Sequence, residues 1–261
     1  MNPKVLTIAG FDPSGGAGVV ADLRTFGIFE VWGVAAVTSI TYQNTSGISG
    51  AYHLPPLAVL RQLEAIVSDI SLDAVKIGML GSEETIAIIF PFLQSHRLSP
   101  IVVDPVLKSS SGYPLLDEGG IKLLKEELLP LVEVVTPNLA EASALSGVRV
   151  STLQDMKEAA RIIHSYGPKN VVITGGHLKQ KATDLLYDGK EYTLFDSPKI
   201  KIPPMHGIGC TFSSAIAAQL SRGVELKVAI KRAKHYILRS LQHPLRIGEG
   251  RRVLDPSIRP D

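Results

Sequence analysis

The stretch Pro204-Met205-His206-Gly207-Ile208-Gly209-Cys210-Thr211 leads two glycines into a helical run rich in small residues. Free backbone N–H groups and the positive end of a helix dipole make an anion site there, suited to a phosphoryl group. Cys210 falls at the helix start, where thiol pKa values are expected to fall. A plain tight turn with a buried thiol would use the same residues. A second segment, Asn138-Leu139-Ala140-Glu141, follows the apolar run Val132 to Val135 and Thr136-Pro137. Asn138 and Glu141 lie one helical turn apart and face the same way. Beyond a strand end, an amide and a carboxylate suit a hydrated magnesium ion. Asn-x-x-Glu is also a helix-capping box in its own right. Asp104 ends the strand-like run Ile101 to Val103, and Thr174-Gly175-Gly176-His177 repeats the pattern of strand then glycines.

The N-terminal segment Ala9-Gly10-Phe11-Asp12-Pro13-Ser14-Gly15-Gly16-Ala17-Gly18 is the remaining candidate ligand loop. Gly16, Gly18 and Ala21 match a dinucleotide fingerprint, but that fingerprint needs an acidic residue about 20 positions on. The stretch Ser39-Ile40-Thr41-Tyr42-Gln43-Asn44 offers none. No Gly-Lys-Ser/Thr follows, so it is not a P-loop. Taken alone, the segment reads equally as a structural turn or a ligand loop. His53, His96, His164 and His235 stand at no metal-ligand spacing, and neither His-Glu-x-x-His nor Gly-x-Ser-x-Gly occurs. Zinc hydrolysis and α/β-hydrolase chemistry thus lack their residues.

These segments need a frame that brings strand ends together. Short apolar runs at Val5 to Ala9, Val34 to Ile40, Ala74 to Ile77, Ile101 to Val103, Val132 to Val135 and Val171 to Thr174 read as strands covered on both faces. Helices are expected at Ala17 to Phe29, Pro56 to Ile70, Glu83 to Gln94, Gly119 to Leu128, Leu139 to Leu145, Leu153 to Tyr166, Cys210 to Ser221 and Glu225 to Gln242. Such alternation implies right-handed βαβ units and a mostly parallel α/β sheet with helices on both faces. Two extended runs flanking Asp188-Gly189 predict an antiparallel hairpin at its edge. Ligands bind such sheets beyond the C-terminal strand ends, which is where four of the candidate segments fall.

The chain has 261 residues, a net charge of +2, 45% hydrophobic and 20% charged residues, and one cysteine. It reads as a single domain over residues 1–261, with a sizeable core. The charge calls for neither nucleic acid nor membrane. Lys227, Lys231, Arg232, Lys234 and Arg239 read as a solvated helix face. The lone thiol fits a reducing cytoplasm, and no apolar run reaches the roughly 18 to 20 residues of a membrane span.

Taken together, the motifs Ile8-Ala9-Gly10, Asp12 to Gly18, Ala21-Asp22, Gln43-Asn44-Thr45, Lys76-Ile77-Gly78-Met79-Leu80, Asp104-Pro105-Val106, Thr136-Pro137-Asn138-Leu139-x-Glu141 and Gly175-Gly176-His177 resemble the hydroxymethylpyrimidine and hydroxymethylpyrimidine-phosphate kinases of thiamine biosynthesis. These belong to the ribokinase-like superfamily. The resemblance runs from Leu6 to about Gly250. It implies a pyrimidine held by the Gln43 amide, with Gly10, Asp22, Met79 and Val106 lining the pocket. It implies ATP near Asn138, Thr174 to His177 and Gly207, and magnesium at Asp104 and Glu141. Gly207, Ile208, Gly209 and Cys210 would form the anion hole, with Cys210 in place of the superfamily's catalytic aspartate. A homodimer is common in the superfamily. Three departures stand out. Ile208 replaces the threonine of Gly-Thr-Gly-Cys, Thr174 stands where many members have lysine, and Gly248-Glu249-Gly250 matches a Gly-His-Gly segment loosely. Three other readings are a pyridoxal or pyridoxine kinase, a nicotinamide-dependent dehydrogenase, and a non-catalytic vitamin-binding protein.

Overall fold

The computed structural model describes residues 2–109, 111–176, 178, 181–200 and 203–260. The described chain runs β1 (Lys4–Phe11), α1 (Gly18–Ile28), β2 (Trp32–Asn44), β3 (Gly47–His53), α2 (Pro56–Val67), β4 (Ala74–Ile77), α3 (Glu83–Ser95), β5 (Ile101–Val103), α4 (Glu118–Leu123) and β6 (Val134–Val135). It continues through α5 (Leu139–Ser146), α6 (Leu153–His164), β7 (Asn170–Ile173), β8 (Ala182–Tyr187), β9 (Tyr192–Ser197), β10 (Met205–His206), α7 (Ile208–Leu220), α8 (Leu226–Gln242) and β11 (Arg252–Val253). A π-helical turn, Leu124–Leu128, extends α4.

Among the described residues one sheet of nine strands has the order β3-β2-β1-β4-β5-β6-β7-β8-β9. The pairs from β2 through β7 are parallel. β3 pairs antiparallel at one edge, and β8 and β9 form the expected antiparallel hairpin at the other. The parallel strands all end on the same side, so the residues following β1, β4, β5, β6 and β7 gather along one edge.

The strands hold this position because both faces are covered. Val102, Val134 and Val172 enter one apolar cluster with Phe26, Phe212, Ile230 and Tyr236. Their neighbours Ile101, Val103, Val135, Val171 and Ile173 enter the other, with Leu63, Ile89, Leu124, Leu145 and Ile163. Successive side chains point to opposite faces of a strand, so a continuous apolar run feeds both layers. Helix α7 is buried on nearly all sides, between α1, α8 and the sheet. Its small residues, Ser213, Ser214, Ala215, Ala217 and Ala218, let it approach closely.

Three features depart from the sequence reading. β2 turns directly into the antiparallel β3, where a dinucleotide fold would cross over into a helix. β3 was hidden because Gly47-Ile48-Ser49-Gly50-Ala51 lacks a continuous apolar run. The C-terminal segment folds back, so that β11 pairs with β10, next to the glycine segment before α7. Lys234, expected on a solvated face, is buried against Asp184, with Nζ 2.6 Å from the carboxylate.

Candidate active site

Gly207 caps α7 in the left-handed conformation at φ 82. A side chain here would collide with the carbonyl of Gly16, so the N-terminal glycine loop and the α7 entrance touch. Ile208, Gly209 and Cys210 form the first turn, and Thr211 N–H is the first to find a partner within it, the Gly207 carbonyl. The three preceding N–H groups have no intrahelical acceptor. Ile208 packs its side chain against an apolar cluster, so its replacement of threonine serves packing while the backbone donors stay.

Helix α7 begins at Ile208 rather than Cys210, so Cys210 is its third residue; the residue as a whole is half-buried, its thiol turned inward. The expected drop in its pKa is not found. Burial pushes the thiol up to about 12, with Asp104 and Asp22 adding to the rise and Lys76 opposing it. Loss of water around the sulfur outweighs the helix end.

Asp104 follows β5, buried beneath the first turn of α7 and facing Gly209. Burial raises its carboxyl to about 6, against the pull of Lys76 and a hydrogen bond from the Cys210 thiol. Glu141, in the first turn of α5, is raised to about 8 by burial and then by the Asp104 charge. The capping reading of Glu141 is correct as far as it goes. Its Oε2 accepts Asn138 N–H at 2.9 Å, and Asn138 Oδ1 accepts from Ala140 and Glu141. The cap uses one carboxylate oxygen, and the same carboxyl lies within reach of the Asp104 charge. Two buried acids that repel each other are relieved by a divalent cation, and both offer the hard oxygens magnesium takes. Among the described residues no group of three or more His, Cys, Asp or Glu is arranged around a metal. Magnesium usually completes such a pair with water and phosphate oxygens, so the residues fit.

On one flank Asn138 bridges to Thr174. Gly175 N–H is held by Asp184 Oδ1 at 2.8 Å, and Asp184 by Lys234. Gly176 is exposed, and His177 lies outside the described residues. The sequence reading missed Asp184 and Lys234 as supports for this turn. Their only signal was the pairing of opposite charges across 50 positions.

On the other flank the Met79 sulfur packs on Gly10, and half-buried Val106 lies two residues past Asp104. Half-buried Gln43, the penultimate residue of β2, reaches His206 Nε2 at 2.6 Å. Asp22 does not line this pocket. It is fully buried, with Lys76 Nζ at 2.9 Å from both oxygens, Thr7 at 2.6 Å and Ser214 at 2.7 Å. With every oxygen engaged, it supports the site from below. Lys76, whose ammonium these carboxylates stabilise despite burial, carries positive charge toward Asp104 and Cys210. The C-terminal segment also reaches in, since Gly250 and Arg251 donate to Thr45.

Gln43, Gly207, Cys210, Asp104, Glu141 and Thr174 thus all lie at or just beyond the C-terminal ends of the parallel strands or at the helix starts that follow them. The family model described as phosphomethylpyrimidine kinase matches residues 12–255. The chain is 43% identical over 251 residues to the hydroxymethylpyrimidine/phosphomethylpyrimidine kinase of Aquifex aeolicus, covering 96% of this chain and 98% of that one. It is 45% identical to the thiamine biosynthesis bifunctional protein ThiED of Geobacter sulfurreducens, over 95% of this chain. It spans about half of that longer protein, 51% of its length. A Bacillus subtilis pyridoxal kinase solved as an ADP complex superposes with a TM-score of 0.91 at 38% identity, covering 99% of this chain and 98% of that one. A parallel sheet with these motifs at its strand ends, matched over nearly its full length, is a ribokinase-like fold, and the chain belongs to the phosphomethylpyrimidine kinase family.

Proposed function

We propose that the chain transfers the γ-phosphoryl group of ATP to the hydroxyl of 4-amino-5-hydroxymethyl-2-methylpyrimidine, and then phosphorylates the monophosphate. The chain is a phosphotransferase by family. The observation that carries the substrate reading is the half-buried Gln43 amide at the same sheet edge as the residues that suit a nucleotide. An amide places a donor beside an acceptor, which matches an amino group next to a ring nitrogen. Gly10, Met79 and Val106 would flank the ring.

ATP would lie over Asn138, Thr174, Gly175, Gly176 and Gly207, with the N–H groups of Ile208, Gly209 and Cys210 facing the transferring group. Such transfer depends on positioning and on stabilising charge. Magnesium held by Asp104 and Glu141 would neutralise phosphate charge. Cys210 is a neutral thiol near pH 7, so its role is to donate a hydrogen bond toward the developing charge rather than to wait as a thiolate.

The working form we propose is a cytoplasmic homodimer. Ile40, Tyr42 and Tyr52 stand exposed on β2 and β3 and offer an apolar face for a second copy. No described helix is long and apolar enough to cross a membrane.

A pyridoxal kinase is the second reading, favoured by the close superposition on such an enzyme. Coupled release of ADP, with hydroxymethylpyrimidine, its phosphate and pyridoxal offered separately, tests both. Release with the two pyrimidines supports the first. Release with pyridoxal alone replaces it by the second.

A further inference from the structure

His206 has no part in the roles above, yet it touches the ring-reading amide. Its Nε2 lies 2.6 Å from Gln43 Nε2 and 2.9 Å from Asp12 Oδ2. Asp12 is itself fixed by the glycine loop, accepting from Ser14 N–H and hydroxyl and from the N–H groups of Gly16 and Ala17. The imidazole has little room to turn. A Cβ at Gly16 would come within 2.6 Å of its Cδ2, and the His206 backbone pairs with Val253. The side chain is only 14% exposed.

A primary amide has two orientations related by a half-turn, and they exchange donor and acceptor. The two present opposite patterns to a ring edge. A fixed imidazole nitrogen beside the amide selects one of them, because a lone pair takes the N–H and a ring N–H takes the oxygen. Asp12 and Gln43 both address the same nitrogen, so the tautomer of His206 is decided jointly with the amide's orientation.

We propose that His206 is a positioning residue that sets the orientation of the Gln43 amide, and with it the pocket's preference for rings carrying an amino group beside a ring nitrogen. This rests on the reading of Gln43 as the group that contacts the ring. His206 acts through Gln43 and through its tether to the glycine loop, so it shapes specificity without touching the reacting atoms.

The test compares kcat/KM for hydroxymethylpyrimidine with that for the same compound lacking the ring amino group. It uses the wild type, His206→Phe, His206→Gln and Gln43→Ala. The ratio of two substrates on one preparation does not depend on the fraction that folds. Phenylalanine keeps the bulk against Gly16 and Val253 but makes no hydrogen bond. The His206→Phe ratio is expected to fall about tenfold or more, the scale of one unmade buried hydrogen bond, with the KM for ATP unchanged. His206→Gln restores a polar group at similar reach and is expected to recover most of the ratio. If His206→Phe yields no active protein, His206→Ala is read the same way. A wild-type ratio in the apolar variant, alongside a collapsed ratio in Gln43→Ala, overturns the role of His206 and leaves Gln43 standing. A wild-type ratio in Gln43→Ala overturns the reading of Gln43 and this inference with it. A ratio in His206→Gln as low as in His206→Phe also overturns it, since ring shape rather than hydrogen bonding would then be what matters.

Discussion

Cys210 sits where two effects compete, and their balance decides what the thiol does. The α7 terminus and Lys76 favour a thiolate, while burial and the carboxyls of Asp104 and Asp22 oppose it, and burial is the largest. The result is a protonated thiol in hydrogen-bonding contact with Asp104. Cys210→Ala is therefore expected to bind both substrates with near-normal KM and turn over about 100-fold more slowly, the low end for losing one preorganised donor. Cys210→Ser keeps a donor and should retain turnover within about tenfold of wild type. Steady-state kinetics on the two variants checks this. An alanine variant with full turnover would leave the backbone N–H groups of the α7 entrance as the working device. The sequence made Cys210 conspicuous as the only thiol but could not show its burial, since Lys76, Asp22 and Asp104 come from distant segments. Asp22 misled for the same reason. Its motif is legible, but the four contacts that remove it from the pocket are tertiary.

At the scale of elements, Glu141 serves two ends of one helix start. Its Oε2 closes the capping box of α5, and its carboxyl feels the charge of Asp104. The two roles separate by substitution. Glu141→Gln keeps an oxygen for Asn138 N–H, so it should melt near the wild type while needing more magnesium for half-maximal activity. Asn138→Ala removes the cap and should cost about 1 kcal/mol of stability. Thermal melts and magnesium titrations of the two variants measure this. An unchanged magnesium curve in Glu141→Gln would reduce Glu141 to a cap. The central strands β4 to β7 were legible because each is a short, largely apolar run, buried on both faces. Ala74–Ile77 and Ile101–Val103 come out at the expected bounds. β3 and β11 were not, because glycine-rich or two-residue strands carry no hydrophobic period. Lys234 was misread because a buried ion pair leaves no periodic trace, and its partner Asp184 lies in another element.

Across the whole molecule, the pair Lys76–Asp22 ties β4 to α1, with Thr7 of β1 and Ser214 of α7 joined to it. Both side chains have no exposure at all. Lys76→Met would leave the Asp22 carboxylate uncompensated in the interior, at a cost of about 3–5 kcal/mol. Chemical denaturation should show this loss, and a double variant that also replaces Asp22 with a neutral residue should recover part of it. A single variant as stable as wild type would mean that the pair contributes little. The charges of this pair also act on Asp104 and Cys210, so the fold and the site depend on the same buried charges.

With Gln43 reading the ring as proposed, the site selects an aminopyrimidine carrying a hydroxymethyl group over the pyridine ring of pyridoxal. The most direct measurement is the ratio of kcat/KM for hydroxymethylpyrimidine to that for pyridoxal, with ATP and magnesium saturating, in the wild type and in Gln43→Ala. The wild-type ratio should favour the pyrimidine by about tenfold or more, as expected when one ring pairs with both groups of the amide and the other leaves one unpaired. In Gln43→Ala the ratio should fall toward unity. A wild-type enzyme that phosphorylates pyridoxal as well as or better than the pyrimidine, with a ratio that Gln43→Ala leaves unmoved, would contradict this selectivity.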